Sequence, residues 1–195
     1  MRPWAAALFG LCLEACAYRV VPRRVEPPPA PPPLSAAPVG LTPISLALEA
    51  PLEGRTVNLD EYRGRGVLIA AISVEDLHSQ ALVRHMERLG RAHPDDLAVV
   101  AVVGDQSDPA SLRTLLDAYR SVLGLQRVVL TVASPAVRSG ATGLGTIDRI
   151  PMVFLLNRVG AVTQRLVGYQ PYPALAALVA PTLPHGGSAP ARGAP

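Results

Sequence analysis

Two continuous apolar runs dominate the hydrophobic pattern: Val67-Leu68-Ile69-Ala70-Ala71-Ile72 and Leu97-Ala98-Val99-Val100-Ala101-Val102-Val103. Short runs of this kind, bounded by polar and turn residues, predict strands covered on both faces. Two earlier segments, Ile44–Leu48 and Thr56–Leu59, alternate instead, and Glu53-Gly54-Arg55 between them reads as a hairpin turn. Asp60 is placed to cap a short turn containing Glu61 and Tyr62. A helix is predicted from about His78 to Ala92, with Leu82, His85, Met86 and Leu89 at helical spacing on its inner stripe. Ser107 and Asp108 before Pro109 mark a second helix start, followed by Leu112, Leu115, Leu116, Tyr119 and Leu123 and closed by Gly124. Val128–Val132 and Met152–Leu156 add two strands, Asn157–Gly160 turns the chain into Ala161–Val167, and Tyr172–Val179 is a closing helix. Strands joined by helices predict an α/β fold, a three-layer α/β/α sandwich behind an N-terminal β-hairpin.

The two ends break this pattern. After Met1-Arg2-Pro3, residues 4–13 are almost wholly apolar. That is a signal-peptide length, well short of the about 20 residues a membrane span needs. Leu13-Glu14-Ala15-Cys16 resembles a bacterial lipobox in Leu13 and Ala15 and departs from it at Glu14, where a small uncharged residue is usual. The alternative is cleavage after Ala15-Cys16-Ala17 as an A-x-A site, which would release a soluble protein. The expectation is lipidation at Cys16, anchoring the chain to a membrane through its N-terminus. Pro27-Pro28-Pro29-Ala30-Pro31-Pro32-Pro33 must be extended polyproline II. The expected organisation is therefore 1–16 signal peptide with lipobox, 17–43 proline-rich tether, 44–183 folded domain and 184–195 disordered tail.

Cysteine usage narrows the chemistry more than charge does. Both cysteines, Cys12 and Cys16, precede the domain, so it can form no internal disulfide and no thiolate zinc site. All 18 basic residues are Arg, the net charge is only +3, and no basic block is interleaved with aromatics. Nucleic-acid binding is not expected. His78 and His85, with Glu75 and Asp76 upstream, suggest a metal pair, but residues seven apart make a poor pincer and no metal or other cofactor is expected. Asp105-Gln106-Ser107-Asp108 lacks the glycine and distal glutamate of a calcium loop. The glycines of 140–145 read as a flexible turn.

Three segments together resemble the thioredoxin-like redoxins of bacterial envelopes, the TlpA type and their alkyl-hydroperoxide-reductase relatives. Leu52-Glu53-Gly54-Arg55-Thr56-Val57-Asn58-Leu59-Asp60-Glu61-Tyr62-Arg63-Gly64 is similar to their entry hairpin. Strand 67–72 and its following helix are similar to the active-site strand and helix. Arg149-Ile150-Pro151-Met152-Val153-Phe154-Leu155-Leu156-Asn157-Arg158-Val159-Gly160 resembles the hairpin that opens on the family's cis-proline. The resemblance covers residues 42–183. It implies a cis bond at Pro151, with Ile150 presenting backbone to a substrate chain.

The same resemblance exposes what is missing. Asp76-Leu77-His78-Ser79 falls where the family has C-x-x-C, and a peroxiredoxin register of Ser73-Val74-Glu75-Asp76 also puts Asp76 at the nucleophile. Asp76 and Ser79 suit a helix N-terminus as caps. Ser79 has no base on its own face, since His78 next to it points about 100° away. The expected function is a degenerate, non-catalytic redoxin-fold module of the envelope that binds an unidentified partner protein or peptide between Asp76–Ser79 and Ile150–Pro151. A thiol–disulfide oxidoreductase and a His-based metal module are the rivals.

Overall fold

The computed structural model describes residues 42–104 and 108–184. Cys16, most of the proline-rich tether, residues 105–107 with Ser107 of the expected helix start, and the tail from His185 lie outside the described residues. Strands β1 (Ala47–Ala50) and β2 (Arg55–Asn58) form the N-terminal hairpin, with Leu48 opposite Val57. A single 3-10 turn at Leu59–Tyr62 follows. Its cap is Asn58, not the expected Asp60. Asn58 has the extended backbone a cap requires, accepts the Asp60 N–H at 3.1 Å, and gives its own N–H to Glu61 at 2.9 Å. Asp60 lies inside the turn and instead accepts from Ser45 and pairs with Arg63.

The doubly buried runs become β3 (Gly66–Ile72) and β4 (Leu97–Val103), and β5 (Val128–Val132) lies parallel to β4. Helices α1 (Leu77–Ala92) and α2 (Pro109–Leu123) connect them. After a one-turn helix α3 (Pro135–Arg138), strands β6 (Met152–Leu156) and β7 (Val162–Val167) add antiparallel to the other side of β3, and α4 (Tyr172–Val179) ends the domain. The seven-stranded sheet runs β2-β1-β5-β4-β3-β6-β7. Residues 44–46, expected as strand, precede β1 and with Pro43 lean on the β6–β7 turn: Pro43 bridges Ala161 and the Ile44 N–H donates to Gly160 at 3.0 Å. Arg63 ties the same corner, donating to Val159, Ile44 and Asp60. Gly160 has φ +81°, and any Cβ there would strike that guanidinium.

The chain steps from β3 to β4 to β5 in one direction, so right-handed crossovers put α1 and α2 on the same face. One core holds Leu68, Ala70 and Ile72 against Leu82, Met86, Leu116, Leu175 and Val179. The other holds Val67, Ile69 and Ala71 against Phe154, Leu59, Val137 and Leu144. The three layers are therefore unequal. Full helices cover one face, while the 3-10 turn, α3 and segment 139–151 cover the other. Within it, residues 140–145, read from sequence as a flexible turn, bury Leu144 at 2% exposure.

Two stripe residues depart from expectation. His85 is half-buried on the flank of α1 and Leu115 is exposed, while Val83 and Glu87 are buried. Glu87 accepts the backbone N–H groups of Gln126, Arg127 and Val128 at 2.8–3.1 Å and pairs with Arg91 at 2.6 Å. Burial works against its charge, but Arg91 and those donors hold it below the usual carboxylate range. Among the described residues, no helix is long and apolar enough to cross a membrane.

Candidate functional site

The site forms where β3 hands over to α1. Asp76 is the N-cap, in extended backbone at φ −85°, ψ 122°. Its Oδ2 accepts the Ser79 N–H at 2.8 Å and the Ser79 hydroxyl at 2.7 Å. The Ser79 Oγ in turn accepts the Ser73 N–H at 3.3 Å. Ser79 is fully buried. Its one proton is committed to a carboxylate and its oxygen to the backbone, so it brackets the start of α1 from a position closed to solvent. The Ser79 hydroxyl is also the main cause holding Asp76 below its ordinary pKa, with backbone N–H groups adding to it. Asp76 is thus ionised at neutral pH. Leu77 is 75% exposed, and the outward His78 ring places Nδ1 3.6 Å from Asp76 Oδ1.

Across the strand end, the Ile150–Pro151 peptide is cis. Ala71 is opposite Met152, so the antiparallel register carries Pro151 and Ile150 alongside Ile72 and Ser73. Pro151 is buried, and its carbonyl accepts the Gly168 N–H at 2.7 Å. Ile150 is 46% exposed, and among the described residues neither its N–H nor its carbonyl has a backbone partner. A cavity of about 310 Å³ separates Ile150 from Ile72-Ser73-Val74-Glu75, with Val103 and Gly104 as its floor. The cavity opens onto Ser73–Glu75. Asp76, Leu77, His78 and Ser79 stand beside it and do not line it.

A second group, absent from the sequence reading, borders this site. The Tyr169 hydroxyl is 2.9 Å from His85 Nε2, and its ring centroid is 6.1 Å from that of His78. Tyr172 meets His85 edge-on at 6.1 Å, and the Arg88 guanidinium stacks 4.0 Å over Tyr172. Burial, then the charge of Arg88, lowers the pKa of His85. The row clasps the β7–α4 connection against α1. Tyr119, on α2, is the other member that sequence did not flag. Its hydroxyl is buried without a partner among the described residues, and its pKa is pushed up to about 12, by burial first and then by the Asp76 charge. Among the described residues, no three His, Cys, Asp or Glu side chains gather to hold a metal ion.

A larger cavity lies elsewhere. It measures about 660 Å³ between the β1–β2 hairpin, the start of α2 and α3. It shares Ala133 and Arg138 with a cavity of about 240 Å³, which shares Gly104 and Ile150 with the first.

With sheet order, helix placement and cis-proline in place, the domain superimposes on solved structures of one kind. A thiol:disulfide interchange protein of the thioredoxin family from Chlorobium tepidum matches with a TM-score of 0.60 at 16% identity, over 80% of this chain and 100% of that one. The fold is that of thioredoxin. The thioredoxin fold is shared equally with a DsbF homologue from Corynebacterium diphtheriae, with a TM-score of 0.61 at 13% identity over 77% of this chain and 94% of that one. It is shared too with the pneumococcal exposed lipoprotein thioredoxin Etrx1 of Streptococcus pneumoniae, with a TM-score of 0.58 at 15% identity over 69% and 97%. No protein-family model matches the sequence, and no curated protein matches it. At such identities the likeness establishes the thioredoxin fold and leaves chemistry to the residues present.

Proposed function

We propose that this chain is a non-catalytic thioredoxin-fold module of the cell envelope that binds an extended segment of a partner protein beside Ile150. One observation carries the reading. In the alignment that the resemblance implies, the two sulfur positions carry Asp76 and Ser79, which form a mutually bonded pair of half-buried carboxylate and buried hydroxyl, next to an Ile150 that is exposed and whose backbone is unpaired among the described residues. An extended partner can add to such a backbone as a strand, main-chain bonds giving affinity and side-chain pockets giving selectivity. Ile150, a large apolar side chain left 46% exposed, lines the cavity at this backbone. Apolar groups left in water together mark interaction surfaces.

Thiol–disulfide exchange is the rival reading, since two of the structural neighbours are named thiol:disulfide interchange proteins. It needs a cysteine, and residues 17–195 contain none. An insulin-reduction assay separates the two. Background turnover by residues 42–184, with binding of extended peptides that shifts the Ile150 amide resonance, supports the binding module. Thiol-dependent turnover by that domain overturns it. Anchoring through Cys16 is part of the proposal, supported by Leu13 and Ala15 before it and by the lipoprotein among the neighbours. Mass spectrometry of the mature protein should find a lipidated Cys16. An unmodified N-terminus at Tyr18 would instead establish the A-x-A route.

A further inference from the structure

The Ile150 groove lies at the carboxyl ends of β3 and β4. A separate cavity of about 210 Å³ lies at the amino ends of the parallel strands, with Tyr62 and Arg65 before β3, Pro94 before β4, Gln126 and Arg127 before β5, and Gly90 of α1 among its walls. Both charged residues that line it are arginines; among the described residues no carboxylate does. Arg65 is half-buried and held from one side, its Nη2 donating to the carbonyls of Pro94 at 2.9 Å and Leu97 at 3.0 Å. Among the described residues Nε is buried without a partner, Nη1 makes no hydrogen bond, and no carboxylate pairs with the guanidinium. A cation drawn out of water without a counter-charge is unfavourable. The neighbouring carboxylates are spent elsewhere: Glu87 on Arg91 and the amides of 126–128, Glu61 on Arg55, and Glu53 on Arg120. Asp95 and Asp96, between Pro94 and Leu97, neither line the cavity nor pair with either arginine. Gly90 seats the second cation. A glycine inside a helix is unfavourable, but a Cβ there would stand 3.0 Å from Arg127 Cβ and 2.8 Å from Val99 Cγ2. Its absence lets the stem of Arg127 lie against α1.

We propose that this cavity binds a phosphate group between the Arg65 and Arg127 guanidiniums. The site is independent of the Ile150 groove. Two cations with no anion in the lining match the charge of a phosphate dianion, and the planar fork of N–H donors on each arginine matches its oxygens. The two backbone carbonyls fix the Arg65 fork through Nη2, so Nη1 and the charge are left for the ligand. The Tyr62 ring, with its centroid 5.9 Å from the Arg65 guanidinium carbon, forms a further wall. A carboxylate could use the same donors but brings one charge fewer, so the site favours phosphate over it.

The test titrates the full chain with inorganic phosphate, glycerol 3-phosphate and acetate, each at ionic strength held constant with chloride. Calorimetry gives the affinity, and the NMR resonance of the Arg65 Nε–H gives the place. Phosphate should bind saturably and shift that resonance while leaving the Ile150 amide where it was. Tighter binding of glycerol 3-phosphate would assign the site to phosphate esters, and tighter binding of inorganic phosphate to the free ion; both support the proposal. Arg127 is exposed, so Arg127→Gln keeps the fold, and it should weaken binding by about tenfold or more, the loss of one hydrogen-bonded charge. Undiminished binding by Arg127→Gln overturns the two-arginine site. So does an Arg65 resonance that stays still under phosphate, or an acetate response as strong as that of phosphate.

Discussion

Replacing Asp76 and Ser79 together by cysteine places two sulfurs at the cap and third position of α1. The side-chain tips there already meet, Ser79 Oγ to Asp76 Oδ2 at 2.7 Å, and both face the same interior. The reduced double variant loses the cap, about 1 kcal/mol. It also loses a charge-assisted hydrogen bond worth roughly 1.5–3 kcal/mol. A domain with about 5–15 kcal/mol of stability tolerates that and stays folded. Oxidation closes a ring of four residues, which by the chain-entropy relation returns about 1.9 kcal/mol. Oxidised protein should thus melt higher than reduced protein by roughly 5–10 °C. The first sulfur, at the helix N-terminus, should be the more reactive in thiol titration because the helix dipole stabilises its thiolate. The assay is paired melting with and without reductant, with thiol counting. A folded double variant that keeps both thiols under mild oxidant, or whose oxidised form melts no higher, refutes the assignment of Asp76 and Ser79 to the vacated cysteine pair.

Other consequences follow from the same contacts. Asp76→Ala should cost about 1–2 kcal/mol at pH 7. Because the folded-state pKa of Asp76 is lowered, chiefly by the Ser79 hydroxyl, its contribution is present above the unfolded value near 3.9 and lost as pH falls through the folded one. Denaturation of both proteins against pH should show the gap closing below about pH 4, and a gap that persists to the lowest pH contradicts the ionised cap. For His85 the folded-state pKa is also lowered, by burial and then Arg88, so the unfolded chain takes up the proton first. Stability should decline as pH drops below about 6.5, and His85→Phe should flatten that slope. An unchanged slope would mean that another group titrates. Glu87→Ala leaves three backbone donors unpaired and should lower the urea-derived stability by about 3 kcal/mol. A loss under about 1 kcal/mol would show that water replaces the carboxylate.

Local pattern alone determined much of this protein. The runs 67–72 and 97–103 are apolar at every position because both faces of their strands are covered, and composition records that directly. Tyr172–Val179, Val128–Val132 and the Asp108 cap before Pro109 are equally local, since capping, turn chemistry and periodicity act within a few residues. The absence of cysteine from residues 17–195 was legible too, directly from composition. Partnerships between residues distant in the chain were not. Asn58 takes the cap from Asp60 because Asp60 is drawn to Ser45 and Arg63. His85 lies off the core stripe because Tyr169, 84 positions later, occupies its flank. Glu87, a charge in the buried face of a helix, is explained only by the start of β5 about forty residues on. The groove likewise depends on β6 pairing antiparallel with β3, which sets Ile150 beside Ser73 and moves the opening to Ser73–Glu75. Short-range sterics and hydrophobic burial are written at each residue. Hydrogen-bond and charge partners are chosen among all the groups that folding brings together, and only the tertiary structure names the winner.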